Sequence, residues 1–140
     1  MDITVNYVAL LAAGVISMGV GFLWYSPVLF AKPWMKLMGY TAESLQQKQK
    51  EMAKMYMLSF IATLVTAYML SHVMTLSINT FGFNSVMTGF TTAFSIWLGF
   101  VAPVQLTDVL FGGKKWSLFA INTGYQLVSL LAMGVVIGYL

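Results

Sequence analysis

MYMLSFIATLVTAYMLSHVMTLSINTFGFNSVMTGFTTAFSIWLGFVAPVQLT, residues 55–107, contains no Asp, Glu, Lys or Arg, and His72 is its one titratable side chain besides tyrosines. A helix needs roughly 20 apolar residues to cross a hydrocarbon core about 30 Å thick. This stretch fits two crossings, at about residues 55–78 and 86–107, around the turn-prone Asn79-Thr80-Phe81-Gly82-Phe83-Asn84-Ser85. Toward the N-terminus, residues 3–31 are again free of charge, and residues 5–25 make a first span. Toward the C-terminus, residues 116–140 make a fourth. Barrel strands would be short and alternating, so runs of this length predict an all-α membrane protein with four transmembrane helices.

Composition agrees. The chain is 59% hydrophobic and 8% charged, whereas about a quarter of a soluble domain is charged. Too few charges are present to keep a globular surface wet, which leaves the bilayer as solvent. A length of 140 residues leaves room for a single membrane domain, residues 1–140, and no separate soluble one. Cysteine is absent, which excludes disulfide, thiolate–metal and cysteine-nucleophile chemistry. Asp2, the lack of any preceding Lys or Arg, and the length of the first apolar run argue against a cleaved signal peptide.

The lysines set the orientation. Lys32, Lys36, Lys48, Lys50 and Lys54 lie between spans one and two, and Lys114 and Lys115 between spans three and four. Both groups therefore face one compartment, which the positive-inside rule makes the cytoplasm. Both termini are then expected on the non-cytoplasmic side, as in a multi-pass protein of a bacterial inner membrane.

The longest cytoplasmic segment is residues 30–54. Phe30, Trp34, Leu37 and Met38 share one helical face and Lys32 and Lys36 another, which predicts a short interfacial helix between spans one and two. Thr41 suits an N-cap with Glu43 in the first turn, and the Gln/Lys-rich residues 44–54 can continue as helix into span two. Their charges read as a solvated face or, alternatively, a partner-binding one.

The halves echo each other. Gly21-Phe22, Pro27, Leu29-Phe30, Lys32 and Trp34 correspond to Gly99-Phe100, Pro103, Leu110-Phe111, Lys114 and Trp116. Farther on, Thr66-Ala67-Tyr68-Met69-Leu70 parallels Thr123-Gly124-Tyr125-Gln126-Leu127. Spans one and three run in the same direction, so the pattern predicts two parallel-repeat helical hairpins about an axis along the membrane normal.

Trp24-Tyr25-Ser26-Pro27, Phe30 and Trp34, followed by Leu110-Phe111, Trp116, Phe119, Asn122 and Tyr125, resemble the two signatures of a bacterial integral-membrane family. That family is catalogued as domain of unknown function number seventeen sixty-one. The resemblance covers nearly the whole chain and implies a small four-helix membrane protein. It brings no activity and no catalytic residue.

Small residues predict close helix contacts: Gly14, Ser17 and Gly21 on span one, Gly134 and Gly138 on span four. Trp24, Tyr25, Trp34 and Trp116 fall where amphipathic rings favour the inner interface. The candidate polar site joins Gln105 and Asp108 at the end of span three to Asn122, Gln126 and Ser129 on span four. Asn122 and Gln126 are four residues apart and share a face. At 1.5 Å per residue, Gln126 lies about 15 Å from Trp116 along the axis. Amides at that depth need partners and should point into the bundle. Asp108 reads as a boundary residue that caps the turn or pairs with Lys114 or Lys115, or as a buried acid able to bind a cation or proton.

A second polar group puts Tyr68, His72 and Thr75 on span two at the depth of Thr88, Thr91, Thr92 and Ser95 along one side of span three. Threonine and serine in such helices usually bond their own backbone. His72 reads as a neutral packing residue or a proton relay, and a lone histidine makes a poor metal site. No cofactor, metal or nucleic-acid motif is present, and no nucleophile, base and acid converge at one depth, so an enzyme is not expected. The expected functions are a small homo-oligomeric transporter or channel-like protein, or a non-transporting membrane subunit or scaffold. A lipid-modifying enzyme ranks last.

Overall fold

The computed structural model describes residues 5–82 and 84–140; Asp2 and Phe83, both used above, lie outside the described residues. Among those residues the chain is helical, without a strand, and four helical stretches are long and apolar enough to cross a membrane. Helix α1, Tyr7–Trp24, starts at Asn6, whose side chain accepts from the Ala9 N–H. Two short helices follow, α2 at Ala31–Met38 and α3 at Ala42–Gln47. Gly39 ends α2 at φ 74°, a left-handed conformation that glycine adopts without a Cβ penalty. Thr41 caps α3 through a reciprocal pair with Ser44.

Helix α4, Gln49–Phe81, has 33 residues. That length is about 50 Å of helix, far more than a bilayer core needs, so its first turns stand clear of the apolar layer. The run from residue 44 into span two is not continuous. Lys48, at φ −98° and ψ 9°, separates α3 from α4.

The third span is compound. Helix α5, Ser85–Ile96, passes through a π-helical segment, Trp97–Val101, into α6, Ala102–Gly112. Pro103 gives the physical reason. Its nitrogen carries no hydrogen, and its ring crowds the carbonyl of Gly99 one turn back. The chain widens there, and the Ala102 N–H reaches the Trp97 carbonyl five residues back. Helix α7, Trp116–Tyr139, completes the set.

The spans run up and down. Ser17 meets Ser129, Trp24 meets Ile121, and Phe22 meets Tyr56, so α1 is antiparallel to both α7 and α4. Helix α7 packs most closely on α5 and next on α1, while α4 touches α1 and α5. The result is a ring in which each span abuts its sequence neighbours and the first closes on the last. Such a ring admits a two-fold axis between hairpins, but the halves differ in detail. Residues 25–48 carry two short helices where the second half has only residues 113–115.

Glycine sets the closest approaches. A Cβ on Gly89 would fall on the Gly134 carbonyl, and one on Gly134 would fall on that of Gly89. One on Gly138 would press on the Ser85 backbone, and one on Gly14 would come within 2.8 Å of Leu64 Cδ2. Gly21 faces Tyr125, with 3.3 Å to its hydroxyl. All five predicted small-residue positions therefore lie on contacts within the chain. The core centres on Leu10, Ala13, Ala67, Leu70, Met74, Ala93, Leu130 and Met133.

Candidate functional site

The polar residues of spans three and four meet near the lysine-bearing end of the bundle. Helix α6 brings Gln105 and Asp108, α7 brings Asn122 and Gln126, and Tyr25 closes α1 beside them. Together with Lys114, Tyr125 and apolar neighbours they enclose a cleft of about 270 Å³. The pattern behind it is simple, because positions 122 and 126 share one α7 face and 105 and 108 share one α6 face.

Asn122 and Gln105 are fixed by different partners. The Tyr25 hydroxyl donates to Asn122 Oδ1 at 2.7 Å. The Thr123 hydroxyl donates to Gln105 Oε1 at 2.6 Å. The Trp97 indole N–H donates to the Thr123 carbonyl at 2.9 Å, and that of Trp24 to the Ile121 carbonyl at 3.0 Å. Two tryptophans, from spans one and three, thus clamp the turn of α7 that carries Asn122. Hydrogen bonds of this kind hold spans together where the hydrophobic effect between helices is absent.

Asp108 takes the boundary role. Its carboxylate lies 3.5 Å from the Lys114 ammonium, with the two side chains 59% and 56% exposed. A pair that open contributes at most about 1 kcal/mol. Asp108 is therefore not the buried acid of the alternative reading, and it stands as an exposed negative group at the mouth of the cleft.

One expectation is not met. Ser129 shares the α7 face of Asn122 and Gln126 but is buried against α1, hydrogen-bonded to Ser17, and does not line the cleft. His72, of the second polar group, does not line this cleft. Its Nδ1 lies 2.9 Å from the Tyr68 carbonyl and its ring 4.3 Å from the Tyr68 ring, both on its own helix. The span-three hydroxyls share one side of α5, and that side straddles the edge of the bundle: Thr88 and Thr92 are buried, whereas Thr91 and Ser95 are exposed. Thr75, Thr88, Thr91 and Ser95 all donate to carbonyls four residues back.

The sequence reading missed Thr123, Tyr125 and the structural part of Tyr25. Tyr25 is more than an interfacial ring: it caps the end of α1, and its ring lies 5.4 Å from that of Tyr125. The repeated Thr–x–Tyr at residues 66–68 and 123–125 was the available signal for the other two.

A sequence profile described as a protein of unknown function, DUF1761, matches residues 8–138. The chain belongs to this family. No curated protein and no solved structure matches it. The DUF1761 match spans every element that builds the cleft, from α1 to α7, and it carries no activity.

Proposed function

We propose that this DUF1761 protein is the subunit of a small homo-oligomeric transporter or channel-like protein, not an enzyme. In this reading it sits in a bacterial inner membrane with both termini non-cytoplasmic, and its cleft takes a small polar solute or cation from the cytoplasmic side. The observation that carries the proposal is the convergence of three amides, a tyrosine hydroxyl and one carboxylate from spans one, three and four around one cleft. Polar side chains at this depth need partners, and a carboxylate at the mouth of such a cleft suits a polar solute or cation.

The cleft is closed at its far end. Ala13, Leu70, Ala93 and Leu130 are almost wholly buried beyond it, and the Ser17–Ser129 pair bridges α1 and α7 at that level. Passage would need this layer to part, and the π segment at Trp97–Val101 gives span three a place to bend. Span three also keeps an open side. Its exposed Phe90, Phe94, Leu98 and Phe100 leave a face for lipid or for a second copy.

Purified protein in liposomes should then move an ion or small polar solute. Asp108→Asn and Gln126→Leu should each slow that flux by about tenfold, the effect of removing one polar partner. Unchanged flux in both variants would remove these residues from the mechanism.

A scaffold role is the second reading, favoured by residues 46–51, all of which are exposed. Co-purification of a constant partner, lost when residues 44–54 are scrambled, would support it.

A further inference from the structure

A second cleft, of about 370 Å³, lies on the other side of Tyr25 and Tyr125. Met18 and Phe22 of α1, Trp34 and Met35 of α2, Leu45 of α3 and Tyr56 of α4 line it, and no charged side chain does. The α1 and α4 residues belong to spans, while α2 and α3 roof the cleft at the lysine-bearing end. It is therefore an apolar slot in one leaflet, open near the head-group level.

Charge is concentrated on that roof. Residues 30–54 hold five lysines and two glutamates, which accounts for the whole +3 net charge; elsewhere two lysines and two aspartates cancel. Lys48 is placed at the rim by the chain itself. At the break between α3 and α4 its N–H donates to the Leu45 carbonyl at 3.2 Å and its carbonyl accepts from the Met52 N–H at 2.8 Å, and both Leu45 and Met52 line the cleft. The Lys48 ammonium lies 5.1 Å from the Tyr40 ring centroid, Tyr40 lies 5.5 Å from Trp34, and Trp34 lines the cleft.

An apolar slot beneath an amphipathic roof, with an exposed ammonium beside its mouth, complements an amphiphile with a negative head. We propose that this cleft binds an anionic phospholipid of the surrounding leaflet, with one acyl chain between α1, α2 and α4 and its phosphate at Lys48. This site is separate from the polar cleft, so the proposal stands or falls independently of transport. A lysine near a membrane surface attracts an anionic lipid by about 1 kcal/mol, or roughly fivefold in affinity.

The test titrates the detergent-purified chain with phosphatidylglycerol and, separately, with phosphatidylcholine of the same acyl chains, counting retained lipid by native mass spectrometry. Phosphatidylglycerol should bind at least about fivefold more tightly. Lys48→Glu should abolish that preference while leaving phosphatidylcholine binding unchanged, and Lys115→Glu, on the other loop, should leave both unchanged. Met18→Trp, which fills the slot, should weaken both lipids. Equal retention of the two lipids by the wild-type chain, or a preference that survives Lys48→Glu, would overturn the proposal. So would tight binding of glycerol phosphate, which lacks acyl chains.

Discussion

Gly134→Val should cost the bundle at least about 3 kcal/mol, at the upper end of what overpacking a filled core costs. Its side chain would begin where the Gly89 carbonyl already sits, and the nearest side-chain atom, Ala93 Cβ, is only 3.1 Å away. Backbone cannot rotate aside as a flexible side chain can, so α5 and α7 must separate along their closest contact. In lipid that separation forfeits the dispersion that holds spans together, with no hydrophobic term to offset it. Gly19→Val is the control, because nothing lies within 4 Å of a Cβ there. Reversible unfolding in mixed micelles should show the first variant strongly destabilised and the second within about 0.5 kcal/mol of wild type. Equal stability of both would mean that α5 and α7 do not meet at these glycines.

Trp97→Ala carries the other large effect, about 3 kcal/mol, within the range for truncating a large aromatic side chain. The indole opens the π segment, packs against the core cluster and donates to the Thr123 carbonyl. Trp97→Phe keeps most of the ring volume and loses the donor alone, so about 1 kcal/mol is expected. Thr123 also holds Gln105, so the alanine variant should loosen the polar cleft as well as the bundle. A cysteine placed at Gln105 should then react faster with a water-soluble maleimide in Trp97→Ala than in Trp97→Phe. Identical stability of the two variants would show that the indole ring fills no space that matters.

The sequence carried most of this architecture because its signals are one-dimensional. Uncharged runs mark the apolar helices whatever their packing, and the i, i+4 spacing of Asn122 and Gln126 brings both amides to one face. Signals that depend on how two spans are registered were not legible. Gly89 gains meaning only once Gly134 is known to lie opposite it. Ser129 keeps the helical face of Asn122, yet α7 meets different neighbours at different heights because packed helices cross at an angle. At the upper level that face meets Ser17 instead of the cleft. The π segment needed Pro103 to be weighed against an otherwise uninterrupted apolar run, and its outcome, a widened turn instead of a break, depends on Trp97 being anchored across the bundle.

The absence of native cysteine makes the threading of the chain directly measurable. Single cysteines at Lys50 and Tyr139 would be probed in intact cells with a membrane-impermeant maleimide. The four-span arrangement predicts labelling at position 139 from outside, and at position 50 only after the membrane is opened. Labelling of both positions from the same side would contradict it.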